Sequence, residues 1–103
     1  MLRISIVDTP GECLLILEGK LMSVWVEELR NAWRGTRADL GNRSIKVDVS
    51  ELSFVSSNGE RLLLEMICNG ALFQGGGVYV RHLIQELESQ SENVRHAYSA
   101  QAD

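Results

Sequence analysis

The chain has 103 residues, 45% of them hydrophobic and 23% charged, the size and balance of one folded domain rather than of a disordered or fibrous chain. Its formal net charge of −4 runs against general nucleic-acid binding, where Lys and Arg must neutralise phosphates. No apolar run approaches the roughly 18 residues of a membrane span, and the start lacks an apolar core leading to a cleavage site, so neither membrane insertion nor a secretory leader is expected.

Leu2 to Val7 alternates apolar and polar residues as a half-buried strand does. Thr9-Pro10-Gly11-Glu12 has turn chemistry, and Cys13 to Gly19 is almost wholly apolar. Together they predict a β-hairpin whose second strand is interior and covered on both faces. Ser23 is placed to cap a first helix, with Trp25, Leu29, Ala32 and Trp33 on one face. Glu27 and Glu28 then suit its start, Arg30 and Arg34 its end, and Gly35 its stop. The cations Arg30, Arg34, Arg37, Arg43 and Lys46 read as a solvated surface, with a docking patch for an acidic partner as the alternative.

Ile45, Val47 and Val49 alternate with Lys46 and Asp48 as a third strand, and Glu51 to Val55 reads as a short connection anchored by Leu52 and Phe54. Ser57-Asn58-Gly59-Glu60 fits a capping box, with Ser57 as N-cap of a second helix and Glu60 at its third position. Leu62, Leu63, Met66 and Ile67 form that helix's stripe, and Gly70 stops it. Ala71 to Gln74 is a fourth strand, and Val80, Leu83, Ile84 and Leu87 mark a third helix. The order ββαβαβα predicts a single α/β domain with a mixed four-stranded sheet, a hairpin joined to parallel strands. The domain is drawn at residues 1–90. Residues 91–103 form a polar tail, expected to fray, with one more turn conceivable at Val94 and Tyr98.

Catalytic chemistry is sparse. His82 and His96 have no Cys or acidic residue at ligand spacing, so no metal is expected. Gly75-Gly76-Gly77 precedes a helix, but lacks the Lys-Ser/Thr ending of a P-loop and the third Gly of a dinucleotide fingerprint. A strand-to-helix turn with positive φ explains it, and a nucleotide or small-anion cradle is the alternative. Cys13 and Cys68 read as reduced thiols. If Trp25 or Trp33 lies outside the core, a symmetric homodimer is the simplest closed assembly.

Asp48-Val49-Ser50, then Phe54-Val55, Ser57 and Gly59, resembles the signature of the STAS domain, the fold of bacterial anti-sigma factor antagonists. There a strand ending Asp-Leu-Ser leads through a hydrophobic link into Asp-Ser-Ser-Gly at a helix start. The resemblance runs from about Leu2 to Glu88 and includes the hairpin, Gly19 before the first helix, and Gly70. It implies a STAS-like fold and a non-catalytic, cytoplasmic, bacterial regulatory domain without a cofactor. The implied partner is an anti-sigma factor of the histidine-kinase-like ATPase type, met by Ser56, Ser57, Asn58, Gly59, Glu60 and Arg61, together with Glu65 on the same helix and the turn before Ser23. Laid residue by residue, the family's leading Asp falls on Ser56, its first Ser on Ser57, and its phosphorylated second Ser on Asn58. Asn58 has no hydroxyl, so the switch at that position is lost. Two alternatives share the fold: an antagonist phosphorylated on Ser57, and a STAS-type subunit of a transport complex.

Overall fold

The computed structural model describes the backbone of residues 1–41 and 43–102 and side chains through Glu92, except Asn42. Seven elements follow in the expected order: β1 (Leu2–Asp8), β2 (Glu12–Leu21), α1 (Ser23–Ala38), β3 (Ser44–Val55), α2 (Ser57–Cys68), β4 (Leu72–Gln74) and α3 (Val78–Ala102). The strands lie in the order β1-β2-β3-β4, with β1 antiparallel to β2 and the other pairs parallel. Thr9 closes the hairpin, its amide donating to the Glu12 carbonyl and its hydroxyl accepting from the Glu12 amide. Beyond Glu92, the tail drawn from residue 91, with Val94, His96 and Tyr98, lies outside the residues whose side chains are described.

All three helices share one face of the sheet. Cys13, Leu15 and Leu17 of β2 and Ile45, Val47 and Val49 of β3 are buried, and the register sets them side by side. The intervening Leu14, Ile16, Lys46 and Asp48 are half-buried on the opposite face, joined there by exposed Val7 and Leu72. β2 is therefore interior in pairing, but only one of its faces carries a helical layer. Its continuous apolar run concealed this, because an alternation of deep and shallow burial leaves no mark on residue type.

α1 departs from expectation in several ways. Met22 is the N-cap and supplies no side-chain bond, so Ser23 is the first helical residue. Glu27 and Glu28 fall beyond the first turn, which holds no acidic residue, and Arg37 is the basic residue of the last turn. The buried stripe is Val26, Leu29, Trp33 and Thr36, a rotation that leaves Trp25 and Ala32 half-buried. Trp33 is 2% exposed, so any argument for a dimer through these rings rests on Trp25 alone. Gly35 does not end the helix, which continues to Ala38.

Four of the five cations in this region are held within the chain. Arg30 bonds Glu27 and Glu65, and Arg37 lies over the Trp33 ring at 5.0 Å. Lys46 meets Glu12 at 3.1 Å. Arg43 reaches Asp8 and the carbonyls of Thr9, Asp39 and Leu40, tying the hairpin turn to the α1–β3 loop. Among the described residues only Arg34 of these five is left without such a contact, which favours the solvated reading over a patch for acidic partners.

α2 ends as expected. The Ala71 amide bonds the Met66 carbonyl and the Gly70 amide the Ile67 carbonyl, the paired bonds of a Schellman stop. The stripes of α2 (Leu62, Leu63, Met66, Ile67) and α3 (Val80, Leu83, Ile84, Leu87) are all buried in one core. Gly75 and Gly76 have φ of 78° and 100°, as a tight strand-to-helix passage requires.

A Cβ added to Gly35 meets no neighbour within 4 Å. Gly35→Ala should therefore raise stability by about 0.5–1 kcal/mol through helix propensity alone, read as a higher melting temperature.

Candidate functional site at the start of the second helix

β3 is longer than the alternation of its first half implies. It runs on through the supposed connection to Val55, and two register shifts against β2 keep the pair together. These irregularities broke the alternation, so Leu52 and Phe54 read as anchors of a link rather than as strand residues. Asp48 stabilises the first irregularity, its Oδ1 accepting from the Ser50 amide at 2.9 Å. The Ser50 hydroxyl, the Ser50 amide and the Gln74 side chain hold the Asp48 carboxyl below the usual carboxylate range.

The paired ends of β2 and β3 deliver two helix starts side by side. Leu21 pairs with Val55, and the Ser56 amide donates to the Leu21 carbonyl at 2.8 Å. Two residues later on each strand, α1 begins at Ser23 and α2 at Ser57. Gly59 makes that proximity sterically feasible. A Cβ there would lie 3.1 Å from both Leu21 Cγ and Val55 Cγ1, tighter than ordinary contact.

The cap of α2 is Ser56, not Ser57. Ser56 Oγ accepts from the Gly59 amide at 3.3 Å, and its carbonyl takes the first helical bond from Glu60. Glu60 is thus the fourth helical residue, and the expected capping box is absent. Asn58 Oδ1 accepts two hydroxyl bonds, from Ser56 at 2.8 Å and from Ser23 at 3.1 Å. The amide oxygen therefore joins the first turn of α2 to that of α1. Ser57 is exposed, and its hydroxyl engages none of the described residues. Arg61 is exposed and Glu60 half-buried, while Glu65 meets Arg30 of α1 at 2.8 Å. With Glu65 43% exposed, that pair is worth at most about 1 kcal/mol, so apolar packing dominates the contact between the helices.

The structure brings Ser56, Ser57, Asn58, Gly59, Glu60 and Arg61 together, as one helical turn must. It adds apolar residues around them, of which only the turn before Ser23, with Met22, is expected from the sequence. Met22, Val24, Phe54, Val78 and Tyr79 are large apolar side chains between 40% and 89% exposed. All belong to segments meeting at this end: Met22 and Val24 flank Ser23, Phe54 precedes Val55, and the Tyr79 hydroxyl donates to the Val55 carbonyl at 3.3 Å. Val24, Phe54, Val78 and Tyr79 lie out of phase with the buried stripe of their own elements, the signal that could have found them, while Met22 falls between β2 and α1.

Other candidates lie elsewhere. His82 is exposed beside Glu86 on α3, and no cluster of potential metal ligands occurs among the described residues. The hollow beside the glycine triplet, about 250 Å³, is lined by Gln74, Gly75, Arg81 and Gln85 among others. Cys13 is buried, and burial pushes its thiol up, away from the reactive thiolate. No described helix is long and apolar enough to cross a membrane.

No family model matches the sequence, and no curated protein matches it significantly. The fold is nevertheless that of an anti-sigma factor antagonist. A crystal structure of such a protein from Mycobacterium paratuberculosis superimposes with a TM-score of 0.69, covering 87% of this chain and 82% of that one at 16% identity. The STAS-like architecture expected from the sequence is thus the observed one. At this identity the likeness speaks for the fold alone.

Two substitutions test the site. Gly59→Ala should cost about 1–3 kcal/mol by overpacking Leu21 and Val55, read in denaturant unfolding. Asp48→Asn should lower stability at neutral pH but flatten the acid limb. A depressed carboxylate stabilises the fold above its unfolded pKa and loses that contribution as pH falls below about 4.

Proposed function

We propose that the chain is a non-catalytic protein-interaction domain of the STAS type, docking a regulatory partner through the end where α1 and α2 begin. The observation that carries this reading is the set of exposed apolar side chains, Met22, Val24, Phe54, Val78 and Tyr79, around a hydrogen-bonded loop. Scattered single apolar residues need no explanation, but a grouping on one pole is typical of an interaction site. The partner is an anti-sigma factor of the histidine-kinase-like ATPase type, and the setting is bacterial, cytoplasmic transcription control. Asn58 puts an amide where the family carries a phosphorylatable hydroxyl, so docking through this surface does not depend on a phosphoryl switch at that position.

Pull-down with a candidate ATPase-type anti-sigma factor tests the surface. Val24→Asp and Asn58→Arg should each weaken capture at least about tenfold, the loss of a central contact. Glu60→Arg should weaken it less. Binding that survives all three places the interface elsewhere.

One observation favours a second reading, phosphorylation of Ser57. Because Ser56 provides the cap, Ser57 can be modified without breaking a capping bond. A phosphate there would meet the positive end of α2. Incubation with a cognate kinase and ATP should then add one phosphoryl group to the wild type and none to Ser57→Ala, as read by mass spectrometry. An unmodified wild type leaves the constitutive surface as the sole reading.

A further inference from the structure

Asn58 is followed by Gly59, whose backbone nitrogen has no Cβ beside it to obstruct approach to the preceding side chain. One hydroxyl links the two reactive groups. The Gly59 N–H donates to Ser56 Oγ at 3.3 Å, and Ser56 Oγ donates in turn to Asn58 Oδ1 at 2.8 Å. Ser23 Oγ donates a second bond to the same oxygen at 3.1 Å. The nucleophile's proton thus has an acceptor, and the carbonyl oxygen that must take up negative charge has two donors.

We propose that Asn58–Gly59 is a self-modification site at which Ser56 and Ser23 promote cyclisation of Asn58 and its conversion to a carboxylate. The Gly59 nitrogen forms a bond to Asn58 Cγ. Its proton passes to Ser56 Oγ as Ser56 gives its own proton to Oδ1, a relay of the general acid–base kind. Ser23 stabilises the same oxygen as charge develops. The Cγ–Nδ2 bond then breaks as the proton on the oxygen passes to the departing Nδ2, the carbonyl re-forms, and ammonia leaves a five-membered succinimide. Water adds to one ring carbonyl and opens the ring to aspartate or isoaspartate. One water enters, one ammonia departs, and nothing is oxidised or reduced.

The product is suited to the place. An aspartate at position 58 keeps both hydroxyl donors and puts a full negative charge at the positive end of α2. The charge falls within the proposed docking surface, but the chemistry is independent of any partner.

Ser56 is also the cap of α2, and the two roles predict opposite effects. Ring closure moves the Asn58 backbone away from helical geometry, so a mere cap, once removed, would let the turn fray and speed conversion. A relay, once removed, slows it. The purified full chain and its variants are incubated at neutral pH, with amide-to-acid conversion followed by intact mass and isoaspartate by digestion. Ser56→Ala should convert about a hundredfold more slowly than the wild type, the low end of what a positioned proton donor supplies. Ser56→Thr should retain the wild-type rate, Ser23→Ala should fall between, and Asn58→Gln should not convert. Melting curves check that each variant folds. If Ser56→Ala does not fold, the Ser23→Ala and Ser56→Thr rates decide. A wild type that never converts overturns the proposal, as does a Ser56→Ala or Ser23→Ala variant as fast as or faster than the wild type.

Discussion

The parallel pairing of β2 with β3 at their C-terminal ends is the constraint on which the candidate site depends. It sets Leu21 against Val55 and so fixes where both following helices start. Ser23 and Asn58, 35 residues apart in sequence, meet only because of that register. A slip of one residue would turn the side chains of a strand to the other face, so the core and the site are specified together. Gly59 belongs to the same constraint, because the space between Leu21 and Val55 leaves no room for a side chain.

Much of this architecture was legible in the residues themselves. The hairpin turn, the stripes of α2 and α3, the stop at Gly70 and the positive φ of the glycine passage follow from local chemistry, and each element carries its own signal. The sequence misled where tertiary packing overrode local preference. Gly35 continues a helix because the stripe beyond it, ending in Thr36, is buried. Glu51 to Val55 stays in a strand because β2 runs alongside it, despite shifts in register that disrupt alternation.

The site was legible by position and misread in detail. Ser56 and Ser57 are both competent caps, and choosing between them needs the backbone direction at Val55, which pairing with Leu21 imposes rather than sequence. The apolar ring of Met22, Val24, Phe54, Val78 and Tyr79 is assembled from three separate segments. No window along the chain contains it, although Val24, Phe54, Val78 and Tyr79 each stand out of step with their own element. Asn58 gains its meaning from Ser23 in the same way, since its two donors come from different helix starts.

The edges of the sheet differ in length, and this bears on how the molecule behaves in a crowded solution. β4 offers three residues on one side, whereas β1 offers seven on the other. A three-residue border is too short a template for strand addition by another chain, one of the ways natural sheets resist growing into fibrils. The longer border is interrupted by charge at Arg3 and closed by Asp8, which Arg43 holds in an ion pair. Colloidal safety therefore falls to two charged side chains on β1, at the margin of the sheet and away from the residues that build its interior.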